Sequence, residues 1–176
     1  MTDLHCHILP AIDDGAKNAK VSMELLRMQN DAGVTDIVCT PHFNPDSQNL
    51  EDFIDKRYRS ARYLADYVFC SELPVRLKFG AEVRISPTIL DLDFLPLCFQ
   101  KTKVMLREMP RTLRPQWDTN VIYQLTLGGV IPLIAHIERY PYVQKNPNIA
   151  LDWIEAGAYS PHDFMFGEAS LQRAWA

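Results

Sequence analysis

Five short apolar runs alternate along this chain with stretches of helical period, and each run closes at or beside a histidine or a glutamate. The runs are "TDLHCH", "TDIVCT", "VRLKFGAEV", "KVMLRE" and "VIPLIAH". Between them lie "AKVSMELLRMQNDAG", with Gly33 placed as a C′ cap, and a long stretch in which Leu50, Phe53, Ile54, Tyr58, Ala61, Ala65 and Val68 recur at helical spacing. "DTNVIYQLTLGG" and "PNIALDWIEAG" follow, the latter with Pro147 near its start. Strands separated by helices of this length pair in parallel through βαβ crossovers, which sets the class as α/β. A doubly wound sheet and a β/α barrel share that pattern. At 176 residues the chain has the length of one domain, residues 1–176, with one sizeable core, and it is short for an eight-fold barrel.

In parallel α/β folds the carboxyl ends of the strands share one face, and that face carries the active site. His5 and His7 end the first run, and positions i and i+2 of a strand point the same way. Asp13 and Asp14 lie in the loop that follows. His42 comes after the second run, while Glu82, Glu108 and His136 end the third, fourth and fifth. Singly, each residue has an ordinary reading: a solvated strand end, a cap, or a core histidine with a backbone partner. Jointly they deliver imidazole or carboxylate from five strands to one rim, and a metal cluster is the expectation. Imidazole and carboxylate without thiolate suit Mn²⁺, Fe²⁺ or Zn²⁺. Cys6, between two histidines, points the other way and packs. Arg139, three residues past His136, offers a planar donor for a phosphate oxygen, or else a surface ion pair with Glu138.

The net charge of −4 and the absence of a basic stripe argue against nucleic acid as the partner. No apolar run is long enough to span a bilayer and the polar start at Thr2 is unlike a signal peptide, so a cytoplasmic protein is expected. Cys6, Cys39, Cys70 and Cys98 form no C-x-x-C pair, in keeping with reduced thiols. "CSELPVR", Cys70 to Arg76, fits the bare pattern of a cysteine-dependent phosphatase loop. Pro74 removes one backbone donor from it, Glu72 adds a negative charge, and no glycine eases the turn, so it is set aside.

With the strand ends laid out, "DLHCHILPAIDDGA", "TPHF", "GAEV" and "AHIERY" resemble the bacterial PHP-type protein-tyrosine phosphatases of the polymerase and histidinol phosphatase superfamily, encoded with capsule and exopolysaccharide genes. The resemblance covers residues 1 to 158. It implies a distorted, TIM-like β/α barrel with a trinuclear manganese site held by His5, His7, Asp14, His42, Glu82, Glu108 and His136, and Arg139 holding the phosphate. It also implies autophosphorylated bacterial tyrosine kinases as partners. Family members close the barrel with a strand ending in Ser-Asp-x-His. The tail 159–176 departs from that pattern, so an incomplete barrel without its closing strand is expected. His162 and Asp163 fit a loop better than a substitute for that motif. Phe43, Trp117, Tyr140 and Tyr142 are rim aromatics, read as packing. Two rival readings remain: a TatD-type metal nuclease, which also begins with H-x-H, and an inactive domain that only docks. The oligomeric state is left open.

Overall fold

The computed structural model describes residues 1–159. Its strands are β1 (Thr2–Cys6), β2 (Asp36–Cys39), β3 (His42–Phe43), β4 (Arg76–Phe79), β5 (Glu82–Arg84), β6 (Val104–Glu108) and β7 (Ile131–Ile134). Its helices are α1 (Ala19–Asp31), α2 (Leu50–Ser71), α3 (Asp118–Leu127), the short α4 (Pro141–Lys145) and α5 (Asn148–Glu155). All strand pairing is parallel, as the alternation requires.

The helices start and stop where local chemistry dictates. Asn18 and Asn49 cap α1 and α2, their side chains accepting from the backbone N–H groups of Val21 and Asp52. Glu51 and Asp52 complement the positive end of α2. Gly33, at φ 84°, follows the cap of α1 in the left-handed region that glycine tolerates. Met23 and Leu26 of α1 and Phe53, Ala61 and Leu64 of α2 are the buried faces of these helices.

The third sequence run splits in two, and the second is followed at once by a further short strand. β2 and β3 are interrupted at Thr40–Pro41, and β4 and β5 at Gly80–Ala81. The upstream pieces belong to a sheet of order β1-β2-β4, the downstream pieces to one of order β3-β5-β6-β7. Pro41 has no N–H for a ladder. At Gly80 a Cβ would stand 2.7 Å from the ring of Phe99, so the chain passes there only without a side chain. The fold is α/β with parallel sheets, as expected, and no closed sheet is present among the described residues: their strands form two open sheets, and β1 and β7 do not pair. After α5 the chain makes one parallel bridge, Leu133 to Tyr159. His162 and Asp163 lie outside the described residues.

Two apolar clusters hold the sheets. The larger packs the helices on the strands and includes Met105, Ile134 and Trp153. The smaller takes Leu4, Val38, Val104, Leu106 and Leu133 from both sheets. The alternation along β6, with Val104 and Leu106 in one cluster and Met105 in the other, is the period of a strand buried on both faces. The same alternation brings Glu108 to the face of Leu106, at the carboxyl end.

Candidate metal centre

The site begins with a turn. Just past β1, the N–H of Ala16 donates to the carbonyl of His7 at 3.0 Å, folding the segment 8–16 back on the strand. A Cβ on Gly15 would lie 2.1 Å from that carbonyl oxygen, so the approach depends on glycine. The fold-back sets Asp13 Oδ2 2.7 Å from His7 Nδ1, where it also accepts from the backbone N–H of His42 at 3.0 Å. Asp13 Oδ1 accepts from the Gly15 N–H at 3.0 Å. Asp14, the neighbour, is largely exposed and its Oδ1 stands 3.5 Å from His42 Nε2.

Glu82, at the start of β5, is the centre. It is buried, and His5 Nε2, His7 Nε2 and His42 Nδ1 surround its Oε2 at 3.0, 2.9 and 3.2 Å. Neither of its oxygens nevertheless has a hydrogen-bond partner. His5 Nε2 and His7 Nε2 are themselves only 3.1 Å apart. A buried carboxylate left without a hydrogen-bond partner among converging imidazole nitrogens fits a cation. Three overlapping sets place their donor atoms within 4.8 Å of one another: His5, His7 and Glu82; His7, Asp14 and His42; His42, Glu82 and Glu108.

Without a cation the electrostatics are those of a crowded acid–imidazole cluster. Burial opposes the charge of His7, but Asp13 and Glu82 outweigh it and push its pKa up to about 10. Burial likewise opposes charge on Glu82, and the imidazoles of His5 and His7 overcome it, holding the carboxyl well below its usual range. Asp13 is held low against its own burial by His7 and by the two backbone N–H groups. His136 goes the other way: burial, then the positive charges of His5 and Arg139, lower its pKa.

Six of the eight sequence candidates, His5, His7, Asp14, His42, Glu82 and Glu108, fall into the three sets. His136 borders them, its Nε2 3.9 Å from Glu82 Oε1 and its ring 4.7 Å from that of His5. Its backbone is left-handed (φ 53°) where the chain leaves β7. Arg139 is not drawn into the cluster; it is 62% exposed, with Nε 3.4 Å from Glu138 Oε1. The rejected cysteine loop stays rejected, because Cys70 is in the last turn of α2 and Arg76 is paired with Asp36. Phe43 and Tyr140 are buried packing residues.

The roles of two named residues, Asp13 and Tyr140, escaped the sequence reading. Asp13 and Asp14 are adjacent and chemically identical, and only the turn tells them apart. Tyr140 has no signal of its own. Its hydroxyl donates to the carbonyl of Ala135 and accepts from the N–H of Met109, at 2.8 and 2.9 Å. One phenol thus ties the residue beside His136 to the residue beside Glu108.

Residues 1–163 match the family described as capsular polysaccharide synthesis, CpsB/CapC. The chain is 34% identical over 163 residues to the tyrosine-protein phosphatase YwqE of Bacillus subtilis, covering 91% of this chain and 63% of the relative. It is 30% identical to the putative tyrosine-protein phosphatase CapC of Staphylococcus aureus, covering 91% and 63%. It therefore spans less than two thirds of the length of these relatives. Its fold superposes with a TM-score of 0.81 and 34% identity on a chain from the crystal structures of YwqE from Bacillus subtilis and CpsB from Streptococcus pneumoniae, described as unique metal-dependent tyrosine phosphatases; the match covers 91% of this chain and 65% of that one. With these similarities running through the very segments that build the acid–histidine cluster, the chain belongs to the CpsB/CapC family of capsular polysaccharide synthesis.

Proposed function

We propose that this chain is a manganese-dependent protein-tyrosine phosphatase of the cytoplasm, with residues 1–176 forming one catalytic domain. Its substrates are phosphotyrosine proteins, autophosphorylated bacterial tyrosine kinases of capsule synthesis foremost. The observation that carries the reading is the buried Glu82 carboxylate, ringed by three imidazole nitrogens yet without a hydrogen-bond partner. The similarity to tyrosine phosphatases supports the substrate class. His5, His7, Asp14, His42, Glu82, Glu108 and His136 are the ligands on this reading. Mn²⁺ matches their mixture of imidazole and carboxylate, and Fe²⁺ or Zn²⁺ are the competing ions.

When bound, such ions act as Lewis acids toward a phosphoryl group and activate water for in-line attack. The chain's own residues supply the rest. Asp13 fixes the ring of His7, and Gly15 keeps the turn carrying Asp13 and Asp14 against β1. Arg139 offers two parallel N–H donors to the phosphoryl oxygens; its exposed pairing with Glu138 is of the kind that contributes little and yields readily. A tyrosine leaving group, with a pKa of about 10, asks less of a general acid than an alkyl alcohol does.

The test is hydrolysis of phosphotyrosine and phosphoserine peptides by the chain before and after chelation. Phosphotyrosine turnover should dominate, vanish on chelation and return with Mn²⁺, and Cys70→Ser should leave it unchanged. Activity that survives chelation or dies with Cys70→Ser would defeat the metal mechanism. Equal turnover of single-stranded DNA would favour the nuclease reading.

A further inference from the structure

A hollow lies away from the acid–histidine cluster. It measures about 600 Å³ and sits between α2 and the segment 95–102 that leads into β6. That volume suits a small organic ligand. Its walls are mostly apolar, with Ala65, Phe79 and Leu95 among them, while its charged lining is Arg57, Arg62 and Lys101. No carboxylate lines it, an inversion of sign in a chain whose net charge is −4.

Arg57 is the fixed point. Its Nη1 donates to the carbonyl of Gly80 at 2.6 Å and its Nη2 to that of Pro96 at 2.8 Å. Its guanidinium carbon also lies 5.6 Å from the centre of the Phe53 ring. Burial lowers its pKa to about 10, and among the described residues no carboxylate pairs with it. Carbonyl dipoles orient the guanidinium but do not neutralise it, and donors of its fork are left over. Arg62 and Lys101 are exposed and, among the described residues, equally without an ion-pair partner. A half-buried cation held against an apolar wall with no opposite charge beside it favours the approach of an anion.

We propose that this cavity binds a small amphipathic anion, with an acyl or aryl body against Phe79, Leu95 and Ala65 and a carboxylate or sulfonate head among Arg57, Arg62 and Lys101. The occupant is a free molecule and not a membrane surface. Recognition of anionic bilayers draws on clusters of about four to eight exposed Lys and Arg, whereas here three cations converge on one hollow.

Calorimetric titration of the full chain with decanoate, kept below its micelle concentration, tests the proposal. Saturable binding of one decanoate per chain is expected, at least tenfold tighter than that of decanol. The Arg62→Ala/Lys101→Ala variant should weaken it at least tenfold, and Ala65→Trp, which fills the hollow, should abolish it. Absence of saturable binding, equal affinity for decanol, or undiminished binding by the variants would overturn it. So would tighter binding to phosphatidylglycerol vesicles than to decanoate, lost in the double variant, since the occupant would then be a lipid surface. Both substituted side chains of the double variant are exposed, so it carries the test if Ala65→Trp fails to fold, with thermal denaturation checking each variant.

Discussion

Asp13 accepts from three donors at once: the imidazole of His7 and the backbone N–H groups of His42 and Gly15. With His7 Nδ1 donating to Asp13, loss of the other ring proton to an incoming cation would leave the lone pair on Nε2, which faces Glu82, the tautomer a metal ligand requires. Replacing Asp13 by alanine should lower metal affinity by about 10–100-fold, measured by equilibrium titration against a competing chelator. An affinity equal to the parent's would show that the turn holds His7 without it. The residue scale is also where the sequence was most informative. Histidines two apart on the first strand, and a histidine or an acid at each later strand end, were legible because strand period and parallel topology leave few places for them. Which of two adjacent aspartates turns inward was not, because the answer depends on Gly15 lying against the carbonyl of His7.

Among elements, the ends of β6 and β7 are coupled through Tyr140 and not only through their ladder. Tyr140→Phe leaves the Met109 N–H and the Ala135 carbonyl without the hydroxyl that joins them, both in a buried setting. It should destabilise the chain by about 1–3 kcal/mol, read from denaturant unfolding, and weaken metal binding because Glu108 and His136 lose their common brace. Unchanged stability would mean that water replaces the phenol. The break within the third run could not be read from periodicity, since the run is apolar on both sides of it, and the short strand at His42–Phe43 is too brief to show a period. Proline and glycine marked the places, but the second sheet that receives the downstream pieces is a tertiary fact. Arg107 of β6 is fully buried, with Nε and Nη2 unpartnered and Nη1 on the sulfur of Met105.

For the molecule as a whole, the candidate ligands are divided between the sheets. His5 and His7 come from β1 and the residue after it, in one sheet, while His42, Glu82 and Glu108 come from β3, β5 and β6 of the other. A cation held by His5, His7 and Glu82 would therefore fasten the two sheets together. Free metal at about 100 times its dissociation constant should add about 2.7 kcal/mol per site to the folded state, and chelation should remove it, visible as a fall in the midpoint of thermal unfolding. A midpoint indifferent to metal would count against ligation across the sheets.

Glu82 belongs to two of the three donor sets. A single negative charge shared between two cations would make their occupancies interdependent, and of the side chains common to two sets Glu82 alone carries such a charge. A metal titration should then depart from the curve of identical, independent sites. Glu82→Gln should abolish most of the metal-induced rise in unfolding temperature, rather than the fraction due to one lost ion.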